Sequence, residues 1–192
     1  MQTRLGKTAT NYLRTEFDAD LNIEKVDLSF LGNVQLKDVL AKNHHTDTLF
    51  YVHNLSTSIF SFRKLINGKF DFGQISLDEF IINIKTYKGE VDDALTVFID
   101  KFDDGTVSDQ PSGFLLTSTR LKLNDGYVEV VDENIEDDTP IFFKNLKGTA
   151  KNFKIDGPNV YADINNLHFT ENRSIEFENF LWLSACSQGY SI

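Results

Sequence analysis

Apolar residues along this chain follow two periods, and the change between them falls near residue 20. Leu5, Ala9, Tyr12 and Leu13 stand at i, i+4, i+7 and i+8. That spacing is one face of a 3.6-residue turn, so a helix is predicted over Leu5–Phe17, stopped by the polar Asp18-Ala19-Asp20 stretch. From Leu21 the period is two. Val26, Leu28 and Phe30 alternate with Asp27 and Ser29, and Val34 and Leu36 follow the turn-like Leu31-Gly32-Asn33. Ile23 is out of step with Val26, and Leu36 with Val39; such a parity switch marks a bulge or a strand break.

Alternation continues at Phe50/Val52, Thr57/Ile59, Phe70/Phe72, Ile75/Leu77, Phe80/Ile82/Ile84, Ile141/Phe143, Phe153/Ile155, Val160/Ala162/Ile164, Leu167/Phe169 and Ile175/Phe177. Asn43-His44-His45-Thr46-Asp47, Asn67-Gly68 and Asp156-Gly157-Pro158-Asn159 supply turn chemistry between these runs. Leu95, Phe98, Ile99 and Phe102, at i, i+3, i+4 and i+7, predict a helix that strand spacing cannot accommodate. Phe62, Leu65 and Ile66 predict a further turn or two ahead of Asn67-Gly68.

Asp125-Gly126 is a two-residue hairpin signal, because a type I′ turn needs positive φ at both positions. With that loop, Leu121 faces Val130, Lys122 faces Glu129 and Leu123 faces Val128. One side of the hairpin is then aliphatic, and the other carries an opposite-charge pair. Roughly a dozen strand candidates joined by short turns, without alternating crossover helices, disfavour a parallel α/β sheet. The fold expected is mostly β: a single curved antiparallel sheet forming an open, taco-like β-groove, apolar on one face and polar on the other, with a short N-terminal helix and one or two small helices.

Composition adds one clue and removes several functions. Seventeen Phe against a single Trp and a single Met imply many buried rings, or an apolar lining. A net charge of -10, from 29 acidic and 19 basic side chains, repels phosphate backbones, so no nucleic-acid partner is expected. The one cysteine, Cys186, excludes an internal disulfide and leaves the compartment open. No run approaches the 18–20 or so apolar residues of a membrane span, and Met1–Lys7 is followed by no apolar stretch of a secretory signal, so the chain as written is expected to be soluble.

No catalytic apparatus is expected. His44 and His45 are adjacent, so on a strand they would point to opposite faces, and no Cys or His stands at ligand spacing. A loop pair beside Asp47 is the expected reading, with no metal site; His53 falls on the polar face next to Val52, and His168 has no ligand partner. The acidic groups Asp103-Asp104, Glu133 and Glu136-Asp137-Asp138 lack EF-hand spacing and read as solvated loops. G-x-S-x-G, P-loop and G-x-G-x-x-G motifs do not occur, and Cys186 has no partner histidine. No cofactor is expected.

A resemblance rests on ordered segments: Arg4-Leu-Gly-Lys-Thr-Ala-Thr-Asn-Tyr-Leu13, Leu21-Asn-Ile-Glu-Lys-Val-Asp-Leu28, Val34-Gln-Leu-Lys-Asp-Val-Leu40 and His44-His-Thr-Asp-Thr-Leu49. They are followed by Leu55-Ser-Thr-Ser-Ile59, Leu65-Ile-Asn-Gly-Lys69, Ile84-Lys-Thr-Tyr-Lys-Gly89 and Val97-Phe-Ile-Asp-Lys-Phe102. In this order and spacing they resemble the start of TamB-type translocation and assembly proteins of the AsmA-like superfamily, over roughly residues 2–180. The resemblance implies a periplasmic β-groove, anchored to the inner membrane by a helix expected just before residue 2. It also implies a part in moving phospholipid acyl chains toward the outer membrane, and in outer-membrane protein assembly and secretion with an outer-membrane partner of the Omp85 type. Residues 1–20 then form the helix after that anchor, 21–180 a groove segment of a longer protein, and 181–192 an atypical tail. Leu28, Phe30, Leu121, Leu123, Val128 and Val130 are the candidate lipid-facing residues. A self-contained β-rich ligand-binding or adhesin-like module is the alternative.

The tail, Asn179–Ile192, carries no charged residue, holds the only Trp and Cys, and breaks the alternation. An altered reading frame or truncation scar and a natural apolar strand both account for it. No ordered strand is predicted over Trp182–Ile192.

Overall fold

The computed structural model describes residues 4–17, 20–28, 33–59, 69–101, 115–136, 139–156 and 159–171. Helix α1 (Arg4–Phe17) leads into β1 (Leu21–Leu28), β2 (Asn33–Lys42), β3 (Thr48–Ile59) and β4 (Lys69–Thr86). Helix α2 (Ala94–Asp100) precedes β5 (Leu115–Asp132), β6 (Ile141–Asp156) and β7 (Asn159–Glu171). Among the described residues, the strands form one unclosed sheet in chain order, with β1 and β7 at its edges. The mostly β, single-sheet architecture read from the alternation is therefore the one adopted. The expected helix at 62–66 and the tail from 172 onward, including Ile175, Phe177 and Trp182–Ile192, lie outside the described residues.

Neighbours pair antiparallel except β4 and β5, which run parallel from Lys69↔Leu115 to Thr86↔Asp132. A parallel pair cannot close with a hairpin. The chain between Thr86 and Leu115 makes the return, and α2 lies within it. Asp93 caps α2: its side chain accepts from Leu95 N and Thr96 N, at 2.8 and 3.0 Å. Ala94 and Ile99 are its buried residues, and Lys101 ends it by donating its N–H to Ile99 O. At the other end of the chain, buried Thr10 ties α1 to β1 by accepting from Ile23 N at 3.0 Å.

The hairpin expected at Asp125-Gly126 does not form. Strand β5 runs through it, and Lys122 and Glu129 lie seven residues apart on one strand, roughly 23 Å at about 3.3 Å per residue. Lys122 is level with Ser76 and Thr149, and Glu129 with Asn83 and Phe142. Only Asp125 has positive φ, at 52°. A type I′ turn needs two such residues, so the pair serves as a bulge instead, and the register with β6 shifts on either side of Gly126. Tertiary packing selects this outcome. The Phe80 ring occupies the space where any side chain at residue 126 would stand.

Among the described residues, the strand candidates merge into seven long strands for the same reason. Core members within one strand stand three residues apart: Ile23 and Val26, Leu36 and Val39, Val52 and Leu55, Leu77 and Phe80, Phe143 and Leu146. Strict alternation would send the members of each pair to opposite faces. Between them lie Glu24-Lys25, Lys37-Asp38, His53-Asn54, Asp78-Glu79 and Lys144-Asn145, all polar, with Asn124-Asp125 at the same level of β5. Asp38, Glu79, Asp125 and Asn145 adopt φ of 50–54°, the left-handed conformation that Asp and Asn tolerate best. Each of β1 to β6 thus takes up one extra residue and resumes its alternation with the same face inward. Because β1 to β5 do so at one level, their pairing keeps register on both sides. The parity switches at residues 23–26 and 36–39 are the first two members of this polar seam across the sheet.

Candidate functional site

The apolar face carries the residues expected to meet a ligand. Ile23, Val39, Val52, Phe80 and Leu146 form a transverse row across the sheet, with Gly126 between the last two. The row is dry: Val52 is 0% and Phe80 2% exposed. Partly buried side chains flank it on every strand, among them Leu36, Leu77, Ile82, Phe143 and Phe169. Of the candidates, Leu121 is buried with Ile75 and Ala150 in a second cluster, while Leu123 and Val128 pack against the dry row. Val130 continues their alternation and is 37% exposed. The grouping of these four on one face thus holds, through the bulge rather than a hairpin. Leu28 pairs with Val34 at the end of β1; its side chain, and Phe30, lie outside the described residues.

On the polar seam, Asp38 Oδ1 accepts from Tyr51 Oη and lies 2.8 Å from His53 Nδ1. Hydrogen bonding by His53 and then Tyr51 holds the Asp38 carboxyl below the ordinary carboxylate range. A carboxyl whose pKa falls on folding stabilises the fold above its unfolded value of about 4, and that stability is lost as pH drops through the folded pKa. Asp38→Asn is therefore expected to lower the denaturant midpoint at about pH 7, with the gap between wild type and variant narrowing as pH falls through the folded-state pKa. An unchanged gap across that range would overturn the assignment.

A second constellation lies where the β2–β3 turn, the chain after β4 and the chain after β5 come together. Asn43 is 7% exposed and organises the first turn. Its Oδ1 accepts from His45 N and Asp47 N at 2.9 and 3.0 Å, and its Nδ2 donates to Tyr87 Oη at 2.7 Å. Tyr87 Oη donates in turn to Asp47 Oδ2 at 2.6 Å. Burial, then this bond, pushes the phenol up from its ordinary value. His44 Nε2 and His45 Nε2 reach the two oxygens of Glu90 at 2.8 and 2.7 Å. Hydrogen bonds from His45 and His44 hold the Glu90 carboxyl below its usual range.

The expected turn at residues 43–47 is present, with Thr46 at a φ of 68°. The opposite-faces argument applied to His44 and His45 holds only on a strand, and here both rings turn to one side. Glu90, the residue that joins them, lies 45 positions away with no spacing signal pointing to it. Close by, a cleft of about 400 Å³ is lined by Asn43, Asp47, Asn83, Lys85, Glu129 and Glu133 among others. Lys85 Nζ pairs with Glu133 at 2.7 Å and lies 4.5 Å above the Tyr87 ring.

No helix among the described residues is long and apolar enough to cross a membrane. No protein-family model, curated protein or solved structure matches the chain.

Proposed function

We propose that the apolar face of this sheet binds phospholipid acyl chains, as one segment of a longer periplasmic conduit of the TamB type. One observation carries the reading: a continuous apolar layer that draws on all seven strands of an unclosed sheet. In this account the dry row from Ile23 to Leu146 is the floor, and acyl chains lie along the partly buried flanks at Leu77, Leu123, Val128 and Phe143. Each CH₂ withdrawn from water there contributes about 0.8 kcal/mol. The polar seam and the surfaces around it face the aqueous compartment. Anchoring to the inner membrane and contact with an outer-membrane assembly partner would fall to other parts of a longer protein.

The test is photo-crosslinking in cells from residues 121, 123, 128 and 130, with Lys122 and Glu129 as positions of the opposite parity. Lipid adducts at 123, 128 and 130 are expected, with none at 122 or 129. No adduct at any inward position, or equal capture on both faces, would reduce the sheet to a structural element and end the conduit reading.

A further inference from the structure

We propose that His44, His45 and Glu90 form a binding site for a borderline divalent transition-metal ion of the Zn²⁺ class, which fastens the β2–β3 turn to the chain leaving β4. The inference is independent of the acyl-chain reading. It starts from the donor set: two imidazole nitrogens and a carboxylate lie within 4.8 Å of one another. Zn–N bonds of about 2.0–2.1 Å place tetrahedral ligand atoms about 3.3 Å apart, so only small side-chain adjustments separate this cluster from a coordination shell. Two imidazoles with one carboxylate suit Zn²⁺, Ni²⁺ or Cu²⁺ and disfavour Mg²⁺ and Ca²⁺, which prefer all-oxygen sets. Three protein ligands leave a fourth position for water or a further donor, and the side chains are 25%, 43% and 32% exposed, so an ion can enter from solvent.

What distinguishes this cluster from a chance surface ion pair is the support behind each ligand. The His45 backbone is held by Asn43 Oδ1, and its ring packs on Tyr87 with centroids 3.8 Å apart. His44 meets the same Tyr87 ring edge-on at 5.6 Å. The Glu90 backbone is held from both sides: its N–H donates to Tyr87 O at 2.9 Å, and its carbonyl accepts from Asn134 Nδ2 at 2.9 Å. Gly89, at a φ of 86°, donates to Asn134 Oδ1 at 2.7 Å and turns the chain so that Glu90 faces the histidines. Partners that orient ligands in this way contribute to metal affinity themselves.

The experiment uses the full 192-residue chain, stripped with a chelator and titrated with ZnCl₂ by calorimetry; Co²⁺ absorption serves as a second probe. One Zn²⁺ per chain is expected, with visible Co²⁺ bands and a rise in Tm on Zn²⁺ addition. His44→Ala, His45→Ala and Glu90→Ala should each weaken Zn²⁺ by more than about a hundredfold and abolish the rise in Tm. Tyr87→Leu, which removes support but no ligand, should weaken it by roughly tenfold. Far-UV circular dichroism of the apo variants establishes that they keep the sheet. Absence of Zn²⁺ uptake by the wild type, or uptake that the three ligand variants leave unchanged, would overturn the site and leave the cluster a hydrogen-bonded staple.

Discussion

Phe80→Ala is expected to lower the free energy of unfolding by about 3–5 kcal/mol, the range for truncating a fully buried ring. Phe80 is 2% exposed at the centre of the dry row, level with Val52 on one side and Gly126 on the other. Its ring lies over Gly126 so closely that a Cβ there would overlap three ring carbons. Gly126→Ala is therefore expected to cost about 1–3 kcal/mol as an overpacking defect. Its cost should largely vanish in the Phe80→Ala background, where the added methyl enters the vacated space. Urea unfolding of the four proteins in a double-mutant cycle measures this coupling. Additive effects would mean that the two positions do not meet, and that Asp125-Gly126 acts as a local turn after all.

Asn43→Ala is the next largest effect, expected at about 2–4 kcal/mol. The side chain is almost fully buried and makes three hydrogen bonds. Its removal leaves two backbone N–H groups without their acceptor, and a buried group left unsatisfied costs about 1–3 kcal/mol. Asn43→Asp keeps the acceptors for both N–H groups, while it loses the donor to Tyr87 and buries a carboxylate beside Asp47, so it destabilises without releasing the turn. Amide exchange reports the mechanism directly. The N–H groups of His45 and Asp47 should lose protection in Asn43→Ala and keep it in Asn43→Asp. Retained protection in the alanine variant would show that the turn is held by other bonds.

The two predictions concern residues that the sequence displays very differently. Phe80 belongs to an alternating run, Phe80/Ile82/Ile84, and its inward orientation follows from that period alone. Nothing near it in sequence says that its partner is a glycine 46 positions away, across a parallel pair. Asn43 reads as turn chemistry and is found in a turn, yet its bond to Tyr87 spans 44 positions. In both cases the local state was legible and the contact was not.

The hydrophobic period by itself determined much of this protein. The helices at Arg4–Phe17 and Ala94–Asp100 follow from apolar spacing near 3.6, and the strand content from spacing of two. These are properties of the backbone repeat, carried by residues close together in the chain. Only the tertiary structure decided whether a parity switch ends a strand or merely bends it. Asp-Gly at residues 125–126 is compatible with a reversal or a bulge, and pairing with β4 on one side and β6 on the other selects the bulge. The assembly of His44, His45, Tyr87 and Glu90 was decided in the same way. The β2–β3 turn and the chain leaving β4 meet because β3 and β4 pair antiparallel, so the start of one lies beside the end of the other. A sheet is held by hydrogen bonds between segments remote in sequence, and the juxtapositions it makes are set by register, which local propensity does not encode.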